Sequence, residues 1–245
     1  MHNKSKHAGG SDCHFFKSSP IYFCTPSQAN ALLEEGRALL LFVRHGLTDW
    51  NMQMRLQGRE NVPLNNGGKM QAEELAQLLK NALLDKWQIN GIYSSPLSRA
   101  EDTASYISEQ LNISSTTVAE LIERDYSTLS GLTIHQRREK FPSPQCYPAD
   151  MESVTAAAMR MKKVALELCK NGNDVSGTTI VVTHGGVINS LFSYLTKGRA
   201  GVGKNVAKNC SISIVASCMT DIIPLAFNLH GEDFTNYINE ISDLR

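Results

Sequence analysis

Two short segments constrain this chain more than anything else in it. Leu39-Leu40-Leu41-Phe42-Val43 and Thr179-Ile180-Val181-Val182-Thr183 are unbroken apolar or β-branched runs of strand length. A strand with one face in water alternates apolar with polar residues, so a run with no polar alternation must be covered on both faces, as in the centre of a layered α/β sheet. Both runs pass straight into His-Gly, as Arg44-His45-Gly46 and His184-Gly185-Gly186. Ligands of open α/β sheets bind beyond the carboxyl ends of the strands, so two such strands side by side would bring two imidazoles to one crevice. A glycine after each histidine lets the backbone turn sharply and a ligand come close. One His-Gly alone would suit a satisfied histidine at a strand end; two matching copies point to a site.

The flanking patterns supply the outer layers. Pro20 to Cys24 is short and apolar, and Thr25-Pro26-Ser27-Gln28 then joins an N-cap, a proline at the first helical position and a capping-box glutamine, starting a helix that runs to Glu35 and stops at Gly36. Gly67 to Asp85 repeats apolar residues at helical spacing, a strand is expected at Gly91 to Ser94, and Pro96 opens a helix with Ala100, Ala104 and Ile107 on one face. A long helix is expected from Glu152 to Lys170, another from Val187 to Leu195, and late strands at Ser211 to Ala216 and Ile222 to Asn228, paired as a hairpin. Pro142, Pro144 and Pro148 make Phe141 to Ala149 a loop, and residues 133–150 are read as a lid segment. The fold class is α/β: a three-layer α/β/α sandwich with a mostly parallel central sheet. One catalytic domain is expected over residues 20–245, after a polar, flexible segment at 1–19.

Charge and cysteine usage narrow the function. The 24 Lys plus Arg balance 24 Asp plus Glu, so no overall field draws the molecule to nucleic acid or to an anionic membrane, and any anion site must be local. The polar head holds no apolar stretch for a signal peptide or a membrane span, and the six cysteines form no C-x-x-C pair. The expected setting is cytoplasmic, with reduced thiols and without nucleic-acid or membrane partners.

A third element converges on the crevice. Ser94-Ser95-Pro96-Leu97-Ser98-Arg99-Ala100 sets Arg99 in the first turn of a helix, where backbone N–H groups already favour anions, and Arg44 adds a second guanidinium suited to a phosphate. With these residues in view, the chain resembles the histidine phosphatase superfamily, in its phosphoglycerate mutase-like branch. The resemblance rests on Arg44-His45-Gly46-Leu47-Thr48-Asp49-Trp50-Asn51, Leu56-Gln57-Gly58, Pro63-Leu64-Asn65, Ser94 to Ala100, Glu120-Leu121-Ile122-Glu123-Arg124, Glu152-Ser153 with Arg160, and Thr183-His184-Gly185-Gly186. It spans roughly Leu39 to Asn228.

The resemblance implies a phosphatase acting on a small phosphorylated metabolite through a phosphohistidine. His45 would be the nucleophile, kept neutral by Arg44 and Arg99, while His184, Arg44 and Arg99 clamp the transferred phosphoryl group. Glu123 takes the position of the general acid, with Glu120, Asp125 and Glu152 as competitors. Thr48, Asn51, Gln57, Gly58 and Gly185 match positions around the phosphate and substrate, and Arg124 and Tyr126 are further substrate contacts. Arg137-Arg138 could add lid ligands; His135 and His230 are read as surface or packing histidines. No cofactor and no metal are expected. The segment from Thr133 to Asp150 is short for a lid that must keep water from a phosphohistidine, which favours hydrolysis over a cofactor-dependent mutase. His45, His184 and Glu123 also have the ligand types of a zinc hydrolase, but Arg44 and Arg99 place two fixed cations where a third would bind. A binding module without turnover is the remaining alternative.

Overall fold

The computed structural model describes residues 19–170, 177–218 and 220–243, so the expected flexible head lies outside the described residues except for Ser19. In chain order the elements are β1 (Ile21–Tyr22), α1 (Pro26–Glu34), β2 (Ala38–Arg44), α2 (Asp49–Met52), α3 (Asn66–Leu83), β3 (Ile89–Ser94), α4 (Ser98–Leu111) and β4 (Ser115–Thr117). There follow α5 (Ile134–Lys140), α6 (Val154–Lys170), β5 (Thr178–Thr183), α7 (Gly185–Leu195), β6 (Ile212–Ser217), β7 (Ile222–Leu229) and α8 (Gly231–Ser242). The strands form one seven-stranded sheet in the order β1-β7-β6-β2-β5-β3-β4.

The unbroken apolar character of β2 follows from that arrangement. Successive strand side chains point to opposite faces. Leu39, Leu41 and Val43 therefore join the core under α1, α3, α4 and α8, while Ala38, Leu40 and Phe42 join the core under α6 and α7. Residues 178–183 of β5 are buried throughout for the same reason.

The sheet is not mostly parallel. β2, β5, β3 and β4 pair in parallel, but β6 runs antiparallel to β2, β7 to β6 and β1 to β7, so half of the pairings are antiparallel. A parallel return needs a crossover of a dozen or more residues, and the chain offers only Cys218 to Asp221 between β6 and β7, which enforces the expected hairpin. Helix α4 begins at Ser98, with Pro96 in the turn before it. The sequence reading assigns no element to β4, a short exposed edge strand, or to α8. Within the lid segment, Thr133 and Gln136 close a capping box that starts α5, and the proline-rich stretch behind it is a loop with one 3₁₀ turn.

This topology creates the crevice. β2 and β5 are neighbours, yet the chain leaves β2 toward α3 on one face and β5 toward α7 on the other. Where β2 exits, Gly46 and Gly68 let two backbones touch. A Cβ on Gly68 would lie 2.0 Å from the Leu47 carbonyl oxygen, and one on Gly46 would lie 2.5 Å from the Gly68 carbonyl oxygen. Asn65 caps α3 by accepting the Gly68 N–H at 2.8 Å.

Gly68→Ala should therefore destabilise the protein by about 1–3 kcal/mol, the usual cost of overpacking, read as a lower urea midpoint at unchanged slope. Gly67→Ala, whose Cβ would meet nothing nearer than 3.4 Å, should be neutral or slightly stabilising. Equal midpoints for wild type and Gly68→Ala would contradict the close backbone contact.

Candidate active site

The parallel register sets Arg44 opposite Thr183, and His45 donates its backbone N–H to the Thr183 carbonyl at 3.0 Å. The two histidines consequently stand side by side, ring centroids 5.2 Å apart. His45 Nδ1 lies 2.7 Å from the Gly46 carbonyl oxygen, which can only accept, so Nδ1 carries the proton. Its Nε2 is left with a lone pair, toward which Arg99 donates an Nε–H at 3.3 Å. Burial, then the Arg99 and Arg44 charges, hold the His45 pKa well below its ordinary value, against a smaller opposing effect of the Gly46 bond. His184 is also fully buried and held low by burial, Arg99, His45 and Arg44. Its Nε2 is 2.6 Å from Ser95 Oγ.

Arg99 is the largest fully buried side chain among the described residues. Beyond His45 it donates to the carbonyls of Glu60 at 2.7 Å and Gly58 at 2.9 Å. Burial lowers its pKa to about 10, with Glu123 opposing and Arg44 reinforcing, so it stays charged at neutral pH. Arg44 donates to the Ala207 carbonyl, while its buried Nε–H meets no protein acceptor and suits an anionic oxygen. Gly185 makes room for that group: a Cβ there would come within 3.0 Å of Arg44 Nε.

Glu123 stands at the start of α7. His184 is the N-cap residue of that helix but makes no side-chain cap, and Glu123 takes over the task from another part of the chain. One carboxylate oxygen accepts the Gly186 N–H at 2.9 Å; the other accepts those of Val187 at 3.0 Å and Arg124 at 2.7 Å. The oxygen that accepts only the Gly186 N–H keeps a further lone pair that can take a proton. A Cβ on Gly186 would fall 2.2 Å from the Tyr126 hydroxyl and 2.6 Å from Glu123 Oε1, which is why this helix opens with two glycines. Burial, then the Glu123 charge, pushes the Tyr126 pKa up, so its hydroxyl remains a donor.

These groups line a cavity of about 380 Å³. Arg44, His45, Asn51, Gln57, Gly58, Arg99, Glu123, Tyr126 and Gly185 reach its wall, and Glu123 is the one acidic side chain lining it among the described residues. Of the competing acids, Glu120 is exposed, Asp125 pairs with Arg59, and Glu152 pairs with Arg160. Thr48 stands behind the wall, capping α2 with its hydroxyl 3.1 Å from Gln57 Oε1. Arg124 does not line the cavity; it donates to the Glu152 carbonyl and stacks on the Tyr126 ring, so it supports Tyr126 from behind. His135 is exposed on α5, and His230 starts α8 beside an adjoining groove that shares Arg44, Val206 and Ala207 with the cavity.

Sequence reasoning missed Asn209, whose amide holds the His45 and Gly46 carbonyls at 3.0 Å and Asn51 Oδ1 at 3.1 Å. It also missed Ser95 as the partner of His184, and Arg55 in the cavity wall. Ser95 follows directly from its place at the end of β3; Asn209, in a loop without periodicity, offers no such signal.

Comparison with known proteins agrees with this geometry. Residues 40–221 match the family model of the histidine phosphatase superfamily, branch 1. The chain belongs to the histidine phosphatase superfamily. The uncharacterized phosphatase PhoE of Bacillus subtilis (strain 168) is 33% identical over 64% of this chain and 76% of its own length. A metal-independent phosphoserine phosphatase of Arabidopsis thaliana is 31% identical over 72% and 75%. A 2,3-bisphosphoglycerate-dependent phosphoglycerate mutase of Parvibaculum lavamentivorans is 31% identical over 65% and 80%. Among solved structures, a mycobacterial glucosyl-3-phosphoglycerate phosphatase in complex with VO3 superposes with a TM-score of 0.69 at 25% identity, covering 78% of this chain and 99% of that one. No helix among the described residues of this phosphatase is long and apolar enough to cross a membrane.

The two buried neutral imidazoles have a consequence for stability. Their pKa values are depressed in the folded state, so below about pH 6.5 the unfolded chain takes up protons that the folded phosphatase refuses. Stability present above that pH is lost as pH falls, by up to about 1.4 kcal/mol per pH unit for each imidazole until its folded pKa is reached. Urea midpoints at pH 7.5 and 5.5 in phosphate-free buffer should fall less in His45→Gln than in wild type. An identical drop in both would mean that His45 is not buried neutral.

Proposed function

We propose that this phosphatase hydrolyses phosphomonoesters of small anionic metabolites through a phosphohistidine on His45. The observation that carries the reading is the tautomer: Nδ1–H is committed to the Gly46 carbonyl, which leaves the Nε2 lone pair beside the Arg99 guanidinium in a cavity that Arg44 also lines. Nε2 attacks phosphorus, the P–O bond to the leaving group breaks, and Glu123 in its protonated form gives the departing oxygen its proton. Water then attacks the phosphohistidine, Glu123 takes up the water's proton, and inorganic phosphate leaves with His45 neutral again. Arg44 and Arg99 neutralise the charge on the equatorial oxygens, and His184 adds a polar contact from the second strand. Arg44, His45, Arg99 and Glu123 line the cavity, while His184 lies fully buried behind His45, ring centroids 5.2 Å apart.

Two further residues bear on the substrate. Arg55 and Arg137 line the same cavity, as do Leu132 and Ile134. A phosphate dianion is served by Arg44 and Arg99, so this pair suits a second anionic group, a carboxylate or another phosphate, on the leaving group. The glucosyl-3-phosphoglycerate and phosphoserine acted on by the similar phosphatases carry such a carboxylate. Residues 133–150 serve as the lid, with α5 presenting Arg137; its single short helix favours release to water over retention for mutase turnover. A reducing, cytoplasmic setting suits the five cysteines found unpaired among the described residues. A zinc-type reading is disfavoured by the same geometry, since Glu123 is engaged by backbone N–H groups and no cluster of three metal-ligand side chains occurs among the described residues.

Rapid quench with radiolabelled phosphomonoesters tests this. Wild type should carry an acid-labile phosphate within one turnover and His45→Ala none. Glu123→Gln should slow labelling from an alkyl phosphate by about 10² to 10⁴-fold, as for loss of an acid catalyst, while labelling from nitrophenyl phosphate, whose leaving group needs no proton, is nearly unchanged. Labelling that survives in His45→Ala would overturn the phosphohistidine, and equal losses on both substrates in Glu123→Gln would remove that residue from the acid's role.

A further inference from the structure

Glu123 and Tyr126 sit on a segment with little regular structure, between 3₁₀ turns at Ala119–Leu121 and Ser127–Leu129. Its backbone is fixed by side chains from elsewhere in the chain. Arg160, on α6, donates to the Glu120 and Ile122 carbonyls through Nη1, while its Nε and Nη2 grip both oxygens of Glu152 at 3.0 and 2.9 Å. Glu152 Oε2 also accepts the Asp125 N–H at 3.1 Å, and its main chain exchanges bonds with the Asp125 carbonyl and the Arg124 guanidinium. Burial alone would favour a neutral Glu152, but Arg160, the Asp125 N–H and Arg59 outweigh it and hold its pKa below the usual carboxylate range.

Arg59 extends this network to the opposite wall. Its Nε donates to the Glu123 carbonyl at 3.3 Å, and its two Nη groups lie 3.2 Å from Asp125 and 3.7 Å from Glu152. Arg59 itself stands between Gly58 and Glu60, whose carbonyls both accept from Arg99. One chain of contacts therefore runs from the Arg99 clamp through Arg59, Glu152 and Arg160 to the segment that carries Glu123. None of these three side chains lines the cavity. The Arg59 side chain is 43% exposed, and exposed ion pairs contribute little to stability, so geometry rather than stability is what its contacts secure.

We infer that Arg160, Glu152 and Arg59 form a positioning brace that sets the Glu123 carboxyl and the Tyr126 hydroxyl at a fixed distance from the Arg99 phosphate clamp. The inference rests on Glu123 acting as the acid. The three residues act on the reaction only through that placement, so their loss must be felt in the step that needs the proton. A brace that merely stabilised the fold would affect all substrates alike.

The test is single-turnover phosphorylation by an alkyl phosphate and by nitrophenyl phosphate, with thermal midpoints measured alongside. Arg160→Gln should lose about tenfold or more on the alkyl substrate, within the 10²-fold that a misplacement of about 1 Å can cost, and much less on the nitrophenyl one. Arg160→Lys should recover part of that loss, since an ammonium can keep a carbonyl contact but not the bidentate grip. Arg59→Gln and Glu152→Gln should show the same selectivity, and Arg59→Gln, at an exposed side chain, should do so with little change in midpoint. Equal losses on both substrates in Arg160→Gln and Arg59→Gln, with Glu123→Gln still selective, would overturn the brace alone. Loss of selectivity in Glu123→Gln as well would overturn the acid assignment and the brace with it.

Discussion

The contact between Arg99 and His45 is the interaction on which the rest of the structure depends. A guanidinium with no exposure to water is tolerated only when its nitrogens find acceptors, and here each does, in two loop carbonyls and an imidazole lone pair, with an N–H on each Nη left over for an anionic oxygen. Burial, and after it the same charge, depress the pKa of His45 and keep its Nε2 unprotonated. A buried cation that would otherwise be a liability thus both receives the phosphate and prepares the nucleophile.

The fold brings these groups together by placing β2 and β5 side by side with their helices on opposite faces. The strands fix the two histidines, the first turn of α4 fixes Arg99, and the start of α7 receives Glu123. Backbone N–H groups at that helix end take the carboxylate, so the acid and the second histidine share one element. Asn209 completes the frame by tying the His45–Gly46 turn to the loop before β6.

Much of this was legible in the sequence where local chemistry decides the outcome. The double-faced burial of β2 and β5 is written in their unbroken apolar runs, and α1 in the Thr25–Gln28 capping box, which the structure reproduces. What depends on meetings between distant segments was not legible. The hairpin of β6 and β7 was legible, but not that β6 would pair antiparallel with β2 and β1 antiparallel with β7, and edge strand β4 is too short and polar to announce itself. Arg99 could be placed at a helix start by its spacing, but not recognised as wholly buried. Arg124 matches the motif, yet its guanidinium turns away from the cavity to Glu152 and Tyr126. The role of Glu123 as the cap of α7 depends on two segments far apart in the chain, and no periodicity encodes it.

The central claim is that His45 rests as a neutral imidazole protonated on Nδ1, with its Nε2 lone pair directed into the cavity. Nitrogen-15 correlation spectra of the histidine side chains, assigned by comparison with His45→Gln and recorded from pH 5.5 to 8 without phosphate, read that state directly. The account predicts a His45 signal with a protonated Nδ1 and an unprotonated Nε2 throughout this range. A titrating imidazolium near pH 6.5, or the tautomer with the proton on Nε2, would contradict it.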